Sequence, residues 1–120
     1  MAEYVPLYSP AEEFTSTASA TITGGQLLVA SGSGTVAPSG AGSVAVVGVA
    51  AFDAATGEKV TVVVQAVHRL VATGTVTAAE LVISGAAGTV ATGPGTAGQA
   101  VGVALTTATA PNTVEVLWTR

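Results

Sequence analysis

Val47-Gly48-Val49-Ala50 recurs as Val101-Gly102-Val103-Ala104, and the two stretches lie 54 positions apart, from residue 47 to residue 101. The other matches at this offset pair residues 34–37 with 88–91, where Gly-Thr-Val-Ala is repeated without change, residues 23–27 with 77–81, and Val60 and Val62 with Val114 and Val116. No gap is needed to align the two copies. The sequence therefore predicts an internal repeat, about residues 21–66 and 75–120.

Each copy divides into short runs rich in valine and threonine, separated by turns that contain glycine, serine, proline or asparagine. Such runs are typical of strands, because branched side chains fit an extended backbone. The predicted strands cover residues 26–30, 34–37, 44–52 and 60–67, then 80–84, 88–91, 99–105 and 114–118. Helical spacing of apolar residues never lasts beyond about two turns, so helix content should be small. We expect an all-β fold, a compact small β-barrel or sandwich built from two related β-modules.

Composition points to self-association. Charged residues make up 8% of the chain, against about 25% in an average soluble domain, and aromatic residues only 4%. No Asp, Glu, Lys or Arg occurs from residue 14 to 52, or from 81 to 114. A surface with so little charge associates easily, so we expect a homo-oligomer that buries part of it.

Several partner classes are excluded by the same counts. The net charge is −4, and the three basic residues, Lys59, Arg69 and Arg120, are far apart in the sequence, so nucleic acid is not an expected partner. The longest apolar run, about residues 44–52, is shorter than the roughly 18 residues of a membrane span. We therefore expect no membrane partner. Cysteine is absent, which excludes thiolate metal sites and cysteine nucleophiles.

The first twenty residues differ from the rest. They hold Tyr4, Pro6 and Tyr8, and with Phe14 they contain three of the five aromatic residues. The sequence predicts an extended N-terminal arm over residues 1–20, followed by a single β domain over residues 21–120. A loose tail seldom needs aromatic side chains, so Tyr4, Pro6, Tyr8 and Phe14 are candidate partner-binding residues. The alternative is that the arm folds back on its own barrel.

Trp118 is the fifth candidate for partner binding. It is the only tryptophan and lies near the end of the last predicted strand. Tryptophan is common both at the centre of interfaces and at the closing end of a core. The sequence leaves both interpretations open.

Catalysis needs polar groups that converge, and the sequence offers few. His68 is the only histidine, and we expect it at the surface or in an interface at the end of a strand. Asp53 and Glu58 flank a predicted hairpin tip that lacks the alternating oxygen ligands of a calcium loop. Residues 93–98 match G-x-G-x-x-G, but a strand-like run follows where a nucleotide site needs a helix, so we expect a glycine-rich loop. We predict no catalytic, cofactor-binding or metal residue and no cofactor. Clustering of His68, Asp53 and Glu58 in a cleft would favour an enzyme instead.

The order of the elements from about Thr21 to Trp118 resembles the tailed-phage capsid cement proteins, a small head-decoration family. The resemblance is carried by the stretches at residues 25–29, 47–62, 70–82 and 100–104, the last with the closing strand. Members of that family often have glycine where this chain has Ala66 and Ala79. The N-terminal residues 4–8 are not a general feature of the family, and the resemblance implies no role for them.

The resemblance implies a structural virion protein without enzymatic activity. Such subunits usually form trimers at three-fold or quasi-three-fold positions on the outer capsid, where they bridge neighbouring major capsid proteins and stabilise the expanded shell. The expected partners are therefore further copies of the chain, as a trimer, and the major capsid protein. The expected location is the outer surface of the virion, after synthesis in the host cytoplasm. Two alternatives remain open: a β-module of a tail fibre, baseplate or surface array, and a small ligand-binding domain or enzyme.

Overall fold

The computed structural model describes residues 13–65, 67–93 and 99–119. The strands are β1 (Glu13–Ala18), β2 (Leu27–Gly32), β3 (Thr35–Pro38), β4 (Val46–Ala50), β5 (Lys59–Val63), β6 (Val67–Val71), β7 (Thr75–Val76), β8 (Leu81–Ser84), β9 (Val90–Thr92), β10 (Ala100–Ala104), β11 (Ala108–Thr109) and β12 (Thr113–Trp118). A 3-10 turn, η1, covers Ala86–Gly88. The molecule is nearly all β, which confirms the predicted fold class.

Strands β1 to β5 form the first module, a closed barrel with the strand order β1-β3-β2-β4-β5. β1 closes the barrel by pairing antiparallel with β5, from Glu13 opposite Val63 to Thr17 opposite Lys59, and parallel with β3. The buried interior consists of Ala18, Ile22, Leu28, Val36, Ala50, Ala54, Val60 and Val62. Small and branched side chains can fill so narrow a barrel, which explains why the chain needs few aromatic residues.

The closing strand corrects the predicted boundary of the N-terminal arm. Glu13–Ala18 belong to the barrel, whereas the arm was predicted to extend to residue 20. Only Phe14 is both large and apolar among the inward positions Phe14, Ser16 and Ala18, so the alternation that marks a strand is faint in the sequence. Residues 1–12 lie outside the described part of the chain.

Strands β6 to β12 form the second module, a sheet of order β6-β12-β10-β8-β9 with a ribbon of β7 and β11. A parallel bridge between Ala72 and Val90 joins the β6 and β9 sides of this sheet. The pairing of the first module returns 54 positions later: Ala18 opposite Val36 becomes Ala72 opposite Val90, and Ile22 opposite Ala54 becomes Val76 opposite Ala108. The core positions correspond in the same way, as Leu28 does to Val82. The two modules therefore share one strand arrangement.

Two predicted strands differ from those observed. The run predicted over residues 60–67 is divided, since β5 ends at Val63 and β6 begins at Val67, where the chain passes from one module to the other. The run predicted over residues 88–91 begins with η1, because Ala87 and Gly88 have φ angles of 53° and 77°. A strand cannot continue through left-handed backbone.

The modules are joined by an apolar contact with polar groups at its side. Leu27, Val46 and Val49 point out of the first barrel and are buried in one cluster with the core of the second module. Beside them, Ser84 Oγ donates a hydrogen bond to Gly40 O and accepts one from Ser43 N, both at 2.8 Å. This contact makes the two modules one packed unit.

Candidate partner-binding surfaces

Trp118 lies in the core of the second module, with 7% of its surface exposed. Its ring meets His68 edge-on, with the ring centroids 5.6 Å apart and the planes at 82°. Its buried Nε1 has no hydrogen-bond partner among the described residues. The position agrees with the second interpretation of this residue, in which it closes the core of the last strand.

His68 is buried, with 8% exposed, which corrects the expectation of a surface or interface residue. The reason is the alternation of β6: Val67, Arg69 and Val71 are exposed, while His68 and Leu70 point inward. The ring Nε2 lies 3.0 Å from the carbonyl oxygen of Val64. His68 therefore packs beside Trp118 and bonds to backbone.

The aromatic candidates of the N-terminal segment divide into two groups. Phe14 lies on β1, is partly buried and packs against the core of the first barrel. Its position agrees with the alternative in which this segment folds onto its own barrel. Tyr4, Pro6 and Tyr8 lie outside the described residues, so their partner-binding role stays a prediction.

The carboxylates near the turns hold backbone amides. Asp53 Oδ1 accepts a hydrogen bond from Gly24 N at 2.7 Å, and Glu58 Oε1 accepts one from Ala55 N at 2.7 Å. These two acids share the wall of a hollow that does not include His68. Within the described ranges, no three residues of the metal-ligating types come together. The cluster that would have favoured an enzyme is therefore not formed by these three residues.

The glycine-rich stretch over residues 93–98 is followed by a strand and not by the helix that a nucleotide site needs. The segment that follows is strand β10, as predicted, and a strand offers no helix N-terminus to a phosphate. Residues 94–98 themselves lie outside the described part of the chain.

A row of apolar side chains crosses the outer face of the second module. Val67 stands opposite Leu117, Leu117 opposite Val103, and Val103 opposite Leu81. Residues paired in this way point to the same face of a sheet, and their sequence neighbours His68, Val116, Ala104 and Val82 are buried inside. Val67, Leu117 and Leu81 are 53%, 43% and 47% exposed. We call these four residues the outer row.

Sequence reasoning missed the outer row. Leu117 lies between Val116 and Trp118, and Leu81 precedes Val82, so apolar side chains follow one another without the alternation of a half-buried strand. Such a run signals a strand that is apolar on both faces. Only the strand register shows that the outward members of four strands align.

A groove of about 360 Å³ lies between the modules. It is lined by residues of the first turn, such as Gly25 and Gln26, and by Arg69 and Val71 of β6. Among the described residues of its wall, Arg69 alone is charged. A single guanidinium can attract an acidic group, but it supplies neither the base nor the nucleophile that a reaction needs.

The family model for phage cement proteins matches residues 9–119 of the chain. The chain belongs to the phage cement protein family. A search of curated proteins gave no significant match. Among solved structures, the N base of head fiber gp8.5 in bacteriophage phi29 is similar, with a TM-score of 0.71 and 16% identity over 89% of this chain and 92% of that chain. At that identity the similarity shows a shared fold.

Membership in the cement family confirms the resemblance seen in the sequence. The protein is a structural decoration protein of the phage head and lies on the outer surface of the capsid. The family is structural rather than enzymatic. Along the described ranges, no helix has the length and apolarity that crossing a membrane requires.

Proposed function

We propose that the protein binds the expanded phage shell as a trimer, bridges neighbouring major capsid proteins and thereby stabilises the shell. The match to the cement family over residues 9–119 carries this proposal. The exposed outer row supports it, because a surface with apolar residues and little charge favours lasting protein contacts over a freely soluble monomer.

The mechanism is linkage between binding and assembly. A ligand that binds only the assembled lattice stabilises it by about 2.7 kcal/mol per site when its free concentration is 100 times its Kd. The same contact repeats over the whole shell, so modest affinity at each site becomes large stabilisation of the particle. No covalent step is involved.

We further propose that Tyr4, Pro6 and Tyr8 contact the capsid. The described strands close the first barrel, with β1 over Glu13–Ala18, and the aromatic residues Tyr4 and Tyr8 precede this strand in the sequence. Two tyrosines and a proline on one short segment are suited to pockets between capsid subunits. Phe14 and Trp118 are less suited, because both pack against the chain's own core.

The test is sedimentation of the purified protein with expanded capsids that lack decoration, and with unexpanded capsids as the comparison. We expect saturable binding to expanded shells alone, and at least a tenfold weaker Kd for the double variant Tyr4→Ser, Tyr8→Ser. The control is Phe52→Ser, which removes an aromatic residue that is 48% exposed in the first module. Equal binding to both kinds of shell, or none, would contradict the proposal.

A second candidate is the base of a projecting head fibre. The similarity to the N base of the phi29 head fiber favours it. A base needs to attach to the shell but not to stabilise it. Binding alone therefore does not separate the two candidates, whereas the heat stability of the shell does.

A further inference from the structure

The outer row has a counterpart in the first module, 54 positions earlier. Leu81 opposite Val103 corresponds to Leu27 opposite Val49, and Val103 opposite Leu117 corresponds to Val49 opposite Val63. Leu117 opposite Val67 corresponds to Val63 opposite Glu13. The four positions of the outer row can therefore be compared directly with the equivalent strand positions of the first module.

The counterparts differ in what covers them. Leu27 and Val49 are 0% and 5% exposed because they are buried with the core of the second module. Leu81 is 47% exposed in the single chain, and nothing among the described residues covers it. Val63 is partly buried and Glu13 is exposed, so the first module uses the Leu27 and Val49 half of this face to bind a module, whereas Leu81 in the second module faces solvent.

The surroundings of Leu81 correspond as well. A hollow of about 220 Å³ beside it is lined by Glu80, Leu81, Thr92 and Gly93, the counterparts of Gln26, Leu27, Pro38 and Ser39. In the first module this place is occupied by η1: Gln26 Nε2 donates to Ala87 O at 3.0 Å, and Gly88 N donates to Ser39 O at 3.0 Å. The hollow has the position of a filled contact, and no group among the described residues fills it.

The group that would fill the hollow is present elsewhere in the chain. The counterparts of Ser84 to Gly88 are residues 30–34, the tip of the β2–β3 hairpin, and all five are exposed. Gly34 has a φ of 73°, close to the 77° of Gly88, whereas Ser33 does not have the positive φ of its counterpart Ala87, so the backbone of the hairpin tip matches η1 at the glycine alone. A Cβ at Gly88 would lie 2.5 Å from Gln26 Cβ, whereas one at Gly34 would meet nothing within 4 Å.

The polar groups at the two places exchange the roles of donor and acceptor. Gln26 Oε1 accepts from Thr23 N, which leaves its amide nitrogen to donate to Ala87 O. Glu80 Oε1 accepts from Thr77 N, which leaves its other oxygen in the place of that nitrogen. A carboxylate oxygen needs a donor, and the counterpart of Ala87 is Ser33, whose hydroxyl can donate.

We propose that the outer row and the hollow beside Leu81 bind the β2–β3 hairpin tip of a second copy of this chain. In this contact the hairpin tip takes the place that η1 has beside Gln26 and Ser39 within one chain. It is head-to-tail, because the row lies on the second module and the hairpin on the first. Such a contact either closes into a ring or continues as a filament. The proposal goes beyond capsid binding and does not depend on it.

The test is the mass of the free protein by light scattering. Leu81→Asp places a charge in the contact, and we expect the mass to fall to that of one 11.5 kDa chain. The matched control is Leu105→Asp, since Leu105 is 46% exposed but its counterpart Ala51 is exposed and makes no module contact. Ser33→Glu should also dissociate the protein by setting a charge against Glu80, while Thr56→Glu, on another exposed turn, should not.

Mixing the two dissociated variants tests the head-to-tail geometry. Each keeps the surface that the other lacks, so a mixture of Leu81→Asp and Ser33→Glu should form a one-to-one dimer that neither forms alone. Persistence of the oligomer in Leu81→Asp, or failure of the mixture to associate while circular dichroism shows both variants folded, would overturn the proposal. A Leu81→Asp protein that stays oligomeric but no longer sediments with shells would assign the row to the capsid. Loss of capsid binding with self-association intact contradicts only the proposed function.

Discussion

At the scale of single residues, Gly48 and Gly102 show why the repeated Val-Gly-Val-Ala stretch marks the fold. A Cβ at Gly48 would lie 2.6 Å from Val62 Cγ1 and 2.7 Å from Val63 O. A Cβ at Gly102 would collide with Leu117 O and lie 2.8 Å from Val116 Cγ1. Each glycine lets two strands approach closely beside an irregularity in the register.

We expect Gly102→Ala to lower the free energy of unfolding by about 1–3 kcal/mol, because the added methyl group overpacks a buried strand contact. Urea denaturation measures the change. Gly40→Ala is the control, since a Cβ there meets nothing within 4 Å, and it should change stability by less than about 0.5 kcal/mol. Equal effects of the two variants would show that close packing of the strands does not require glycine at position 102.

At Ala79 we expect the reverse effect, in which replacement by glycine stabilises the fold. Its φ is 75°, and its counterpart Gly25 has a φ of 89°. Left-handed backbone costs a residue with a Cβ about 1–2 kcal/mol, and glycine removes this strain. Glycine also raises the conformational entropy of the unfolded chain, which offsets part of the stabilisation. We expect Ala79→Gly to raise the free energy of unfolding by about 0.5–1 kcal/mol, measured by urea denaturation. Ala78→Gly, at a position without positive φ, should lower it.

At the scale of elements, β1 closes the first barrel and should be indispensable. A chain that begins at Glu13 keeps all five pairs of β1 with β5, whereas one that begins at Ser19 loses them and leaves two open sheet edges. We expect the first to unfold cooperatively and the second to aggregate or lose its transition, as thermal circular dichroism would show. A cooperative transition in the shorter chain would contradict the assigned role of β1.

The elements differ in how clearly the sequence predicts them. The valine-rich strands of each copy were predictable, because their inward positions carry Leu28, Val60 and Val62 or the counterparts of these residues. β1 was not, since its inward face is mostly small or polar. β7 and β11 have two residues each, too few for a period to be seen. The position of η1 depends on the left-handed backbone of Ala87, which no residue type announces.

At the scale of the whole molecule, the duplication explains both the shape and the exposed surface. One face of the first module is satisfied within the chain, and the same face of the second module is left uncovered. The family and its decoration role could be recognised from the order of the elements. The outer row could not, because it is formed by residues of four strands that only the register aligns.

The most direct measurement is the temperature at which phage heads lacking decoration release their DNA, with and without saturating amounts of the protein. Cement function predicts a release temperature that rises with occupancy and levels off when all sites are filled. Phe52→Ser, which should bind normally, should produce the same rise. Saturable binding with an unchanged release temperature would contradict stabilisation of the shell and leave the protein as an attachment base.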